Sequence, residues 1–116
     1  LRMLFESHAV VTSSGKKVGD AVAAFSIEPK CKFSLRWRTV VGVGSEPPPL
    51  VAGDVVVAAG GDGGGYSALA ARTGRVLWRL KTPNATLAPV IAAGGRVFAA
   101  DFGGIARAFV VAPAKP

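Results

Sequence analysis

Apolar residues along this chain fall into short runs rich in Val, Phe, Leu, Ala and Trp, separated by Gly, Asp, Ser, Asn or Pro. Branched and aromatic side chains suit a pleated, extended backbone, and the separators suit turns. The pattern predicts strands over residues 9–13, 21–27, 33–39, 54–59, 66–70, 76–80, 96–101 and 105–111, with two shorter ones at 49–52 and 88–92. Residues 1–5 read as a further strand entered partway. No helix is predicted. The one run with good helix formers, residues 68–80, is broken by Thr73-Gly74, which fits a hairpin turn better.

The gaps between these runs are of two kinds. The glycine-rich stretch 60–65 and Phe102-Gly103-Gly104 read as tight links between antiparallel neighbours, because glycine reaches positive φ at little cost. Residues 43–49, ending in three consecutive prolines, and residues 81–89 are longer and read as connections between units. Proline donates no hydrogen bond to a ladder, so residues 47–49 interrupt pairing there.

The strands also repeat. Pro49-Leu50-Val51-Ala52 recurs as Pro89-Val90-Ile91-Ala92, and Gly53-Asp54-Val55-Val56-Val57-Ala58 as Gly95-Arg96-Val97-Phe98-Ala99-Ala100. Ser67-Ala68-Leu69 matches Arg107-Ala108-Phe109 and, upstream, Ala23-Ala24-Phe25. Trp37 and Trp78 each follow one of these blocks. A period of about 40 residues means one supersecondary unit used repeatedly, since a single unit cannot bury its own apolar face. With about four strands per unit, the predicted fold class is all-β: about two and a half four-stranded antiparallel blades of a β-propeller, an incomplete ring. The blade parts span residues 1–39, 48–80 and 88–111, with 112–116 as a C-terminal tail.

At Tyr66 to Trp78 the pattern becomes more specific. Ala68-Leu69-Ala70-Ala71-Arg72-Thr73-Gly74-Arg75-Val76-Leu77-Trp78 resembles the blade motif of the pyrroloquinoline-quinone (PQQ) repeat propellers, Ala-x-Asp-x-x-Thr-Gly-x-x-x-Trp. Gly53-Asp54-Val55-Val56-Val57 resembles the strand that precedes it in that family. The resemblance, to PQQ-like and quinoprotein alcohol dehydrogenase-like propellers, covers most of residues 21–111. It makes Trp37, Ala68, Thr73, Gly74, Trp78 and Ala108 the structural blade residues: Thr73-Gly74 turns the chain, Ala68 and Ala108 let a neighbouring blade approach, and the tryptophans dock on the adjacent blade. The motif's Asp is replaced by Ser26, Ala70 and Val110, so all three units lack the carboxylate that the family uses there, though not the blade itself. WD-type repeats need Trp-Asp and Gly-His pairs, which this chain lacks, and Kelch-type repeats have a longer period.

Rings of this family hold about seven or eight blades, and even four blades of this period need about 160 residues. The chain also opens on Leu rather than Met. We therefore expect a C-terminal piece of a larger protein. Its partners are then the remaining blades of that propeller or other copies of itself, together with a protein partner.

Charge and candidate chemistry add little to this picture. Fourteen Lys and Arg against seven Asp and Glu give a net charge of +7. The basic residues are dispersed, and nucleic acid is not the expected partner; it would require Arg36, Arg38, Arg72, Arg75 and Arg79 to converge. Simple strand alternation puts Arg36 and Arg38 on one face and Trp37 on the other. Cys31 is the sole cysteine, so no disulfide can form within this segment, and the redox compartment stays open. Asn84-Ala85-Thr86 fits a glycosylation acceptor, and turn chemistry explains it equally well.

With His8 the only histidine, neither a histidine-based metal cluster nor a triad can be assembled. The stretch 60–65 lacks the Lys-Ser/Thr of a phosphate-binding loop, and Asp62 alone supplies too few oxygens for calcium. Asp20 and Asp101 sit beside strands, where capping is the expected role. No catalytic, cofactor-binding or metal residue is expected in this segment. The resemblance confines PQQ and calcium to a full-length parent. The expected function is a non-catalytic scaffold or protein-interaction segment of an exported protein, periplasmic or secreted. The alternative is a fragment of a PQQ-dependent alcohol-type dehydrogenase whose catalytic residues lie outside this chain. No run is long enough for a transmembrane helix, which takes roughly 18 apolar residues.

Overall fold

A computed structural model describes residues 2–42, 47–60, 65–84, 86 and 90–110. The described residues form three antiparallel sheets. The first holds β1 (Arg2–Val11), β2 (Lys17–Glu28) and β3 (Lys32–Gly42) in chain order, with a single 3-10 turn at Pro29–Cys31. The second is a four-stranded meander of β4 (Leu50–Ala52), β5 (Val55–Ala59), β6 (Tyr66–Ala70) and β7 (Val76–Leu80). The third joins β8 (Ile91–Ala93), β9 (Arg96–Ala100) and β10 (Ala106–Phe109). The all-β expectation holds, and the sheets are the blades of a partial propeller.

Three details differ from the sequence reading. β1 begins at Arg2 and ends at Val11, because β2 supplies a partner for it from Lys17 to Ile27; Ser13 lies in the turn instead. β2 opens at Lys17, four residues before the start expected at residue 21. Letter matching also set the third unit one residue out of step. Val56 lies opposite Leu69 and Val97 opposite Phe109, so Val97 takes the place of Val56 and Ala99 that of Ala58. The turn Gly94-Gly95 therefore corresponds to Gly53-Asp54, and both Gly53 and Gly94 have positive φ. Of the loops anticipated above, residues 43–46 and 61–64, Asp62 among them, lie outside the described residues, as do residues 88, 89 and 111–116.

The core consists of two seams between blades. In one, Val22, Ala24, Trp37 and Val41 of the first blade pack on Val56, Ala58 and Leu69 of the second. In the other, Val55, Val57, Ala59, Tyr66 and Ala68 of the second blade pack on Val90, Val97 and Ala99. Alternate residues of β5 thus point into opposite seams, and every position of that strand is buried. Side chains of the size of Leu69, with no exposed surface, contribute about 1.5–3 kcal/mol each. β9 is covered on one face only, and its burial alternates strictly.

Candidate functional site

The seam between the first two blades starts from a backbone irregularity that occurs twice. Ala24 faces Trp37 while Phe25 faces Leu35, leaving Arg36 as the extra residue of a β-bulge. In the second blade Ala68 faces Trp78 while Leu69 faces Val76, leaving Leu77 extra. A bulge re-aims the side chains beside it. In both blades the tryptophan stands opposite an alanine, whose small side chain leaves room for the indole.

Trp37 lies across the turn that ends β6. Its indole N–H donates to the Ala71 carbonyl at 2.8 Å, and Thr39, two residues on along the strand, donates its hydroxyl to the Gly74 carbonyl at 2.6 Å. The turn itself is tightly hydrogen-bonded: Gly74 N–H to the Ala70 carbonyl and Ala70 N–H to the Arg75 carbonyl, both at 2.8 Å. Thr73 accepts from the Arg75 N–H at 3.3 Å. Gly74 has φ +74, and a Cβ there would come within 2.4 Å of Trp37 Cε3. Glycine is needed for the turn and for the approach of the ring. Phe5 completes the cluster, its ring centroid 6.0 Å from that of Trp37. Trp78 is partly buried against the second seam, and Ala108 lies opposite Phe98 on β10.

The remaining candidate residues are held in local structure. Asp101 accepts from the Gly103 and Ile105 N–H groups at 2.8 and 3.1 Å and pairs with Arg107 at 2.8 Å. The Arg107 hydrogen bond, with those backbone donors, holds its carboxyl below the usual aspartate range. Tyr66 is pushed up by burial, against the pull of the nearby Arg107 guanidinium. Asp20 is fully buried within β2, with Lys17 Nζ at 3.2 Å, and His8 stands 2.6 Å from Glu6. Cys31 is exposed. Thr86 hydrogen-bonds through its hydroxyl to the Gly60 and Gly65 carbonyls, the latter at 2.7 Å, and so ties together the two ends of the glycine stretch. Thr82 donates to the Asn84 carbonyl at 2.9 Å, so both described residues around Ala85 belong to a turn network.

Sequence reasoning gave no role to Thr39 or Ala71, and read Thr86 only as part of a glycosylation pattern or a turn. The signal for Thr39 was its spacing from Trp37, since residues two apart on a strand share a face. It also misplaced Arg36. The bulge breaks the alternation, and Arg36 lines a cavity of about 750 Å³ with Met3, Phe5, Ala71 and Arg72 on the second blade's side. Arg38 lies opposite Ala23, on the other face. Arg72 and Arg75 share a separate depression with Asp54, and Arg79 lines a third. The five arginines do not converge on one surface.

Among the described residues no group of three or more His, Cys, Asp or Glu could hold a metal ion. Among the described residues, Trp37 and Trp78 pack in the seams and Asp20 and Asp101 are held in ion pairs, so none of these four is set to hold a quinone with calcium. No helix among the described residues is long and apolar enough to cross a membrane. No curated protein matches the sequence. A family model described as outer membrane protein assembly factor BamB, a PQQ-like repeat family, matches residues 7–112, and the chain belongs to that family.

Proposed function

We propose that this chain is a non-catalytic scaffold and protein-interaction segment of a larger propeller, located in the periplasm or secreted. The observation that carries this reading is the outer face of the third blade. Phe98 occupies the position equivalent to Val57, which in the second blade faces the next blade. Ile91 and Phe98 are 60 % and 39 % exposed there, beside an apolar depression of about 470 Å³. Such a face is suited to receive a further blade by the same packing that joins the first three. The family description, an outer membrane protein assembly factor, supports an extracytoplasmic location and a protein as the partner.

The experiment is cross-linking of the parent protein in its native cell, followed by mass spectrometry of linked peptides. Links from the third blade to further propeller blades, and from any blade to a separate protein, are expected. The purified parent is then given PQQ, calcium and a primary alcohol. Alcohol-dependent dye reduction would establish the dehydrogenase reading and refute the scaffold one.

A further inference from the structure

The cavity beside the Trp37 seam combines apolar walls with two arginines. Met3 and Phe5 extend from β1 over the end of the second blade, and Arg36 and Arg72 stand at the rim. Both arginines are exposed, and neither has an ion-pair partner among the described residues. Ser26 lies opposite Met3, so it turns to the same side, and its buried hydroxyl has no hydrogen-bond partner among the described residues. Among the described residues, no carboxylate lines the cavity.

From this arrangement we infer that the cavity binds an acidic segment of a partner protein that carries an aromatic or aliphatic anchor residue. The anchor seats on Met3 and Phe5, and flanking carboxylates pair with Arg36 and Arg72. Guanidinium groups match carboxylates in planar, two-point geometry, and apolar walls with a few polar groups orient a ligand. A phosphodiester chain would need a continuous run of cations, whereas Arg38 and Arg79 lie on other surfaces. A cavity of about 750 Å³ holds a few side chains. The inference rests on the protein-interaction reading above and assigns it a surface.

The test is fluorescence polarisation of the full chain with a labelled pentapeptide, Asp-Phe-Asp-Leu-Asp, at physiological salt. Saturable binding is expected, weakened about tenfold by Arg36→Glu and by Arg72→Glu, as for removal of one charge-assisted contact. Arg38→Glu, on the opposite face, should leave it unchanged. A peptide with Ala in place of Phe and Leu should bind more weakly. Absence of saturable binding by the unaltered chain would overturn the proposal. So would equal losses for all three charge reversals, or displacement of the peptide at lower concentration by a thymidine oligonucleotide or by phosphatidylglycerol vesicles. If the peptide binds but ignores Arg36 and Arg72, the pocket assignment fails while the interaction reading stands.

Discussion

Trp37 donates its indole N–H to the Ala71 carbonyl of the next blade, at 2.8 Å. Ala71 also donates its own N–H to the Asp54 carbonyl, at 2.8 Å. One residue is thereby held from within its blade through its N–H and from the blade before it through its carbonyl. Trp37→Phe keeps most of the apolar contact but leaves that carbonyl without its donor. We expect a loss of about 1–3 kcal/mol in urea unfolding, against about 3–5 kcal/mol for Trp37→Ala.

Thr39 grips the other end of the same turn through the Gly74 carbonyl. Thr39→Val should cost about 1 kcal/mol. Because both side chains act on one turn, the double variant with Trp37→Phe should depart from additivity by about 0.5 kcal/mol or more. Strict additivity in a denaturant double-mutant cycle would show that the two bonds act independently.

Gly74→Ala brings a Cβ into the Trp37 ring and places it at positive φ. The expected loss is about 2 kcal/mol or more, with a shift in tryptophan fluorescence as the seam opens. Gly53 also has positive φ, but a Cβ there meets open space. Gly53→Ala should cost about 1 kcal/mol and leave the fluorescence unchanged. A matching fluorescence change in both variants would argue against close packing at Gly74.

The Asp101–Arg107 pair gives the second seam a sign with pH. Its carboxyl is depressed in the folded state, chiefly by the Arg107 hydrogen bond. The stabilisation is therefore complete above the ordinary aspartate range, near about 4, and is lost as pH falls through the lower folded value. Tyr66 acts in the opposite direction: its phenol is raised, so its contribution is complete below about 10 and fades as pH rises through the folded value. Thermal unfolding across pH should show both arms, and Asp101→Asn should remove the acid one.

The blade motif was legible because it follows from local chemistry. Thr73-Gly74 marks a turn, and an alanine in the strand before it with a tryptophan beyond it marks a seam. The bulges at Arg36 and Leu77 were not legible, since the extra residue shows only when two strands are paired. That is why Arg36 was set on the wrong face. The one-residue slip of the third unit has a similar origin: Gly94 and Gly95 are adjacent, and letters alone do not say which of them matches Gly53. Thr86 reads in sequence as part of a glycosylation pattern, and only the folded chain brings it to the Gly60 and Gly65 carbonyls.

The central claim is that the third blade's outer face is a seam made for another blade. Light scattering after size exclusion tests it on the full chain and on Phe98→Asp. Phe98 is exposed on that face, and a carboxylate there would oppose apolar docking without disturbing a buried core. The account predicts that the unaltered chain self-associates and that Phe98→Asp shifts it toward monomer. A stable monomer from the unaltered chain, or association indifferent to Phe98→Asp, would contradict it.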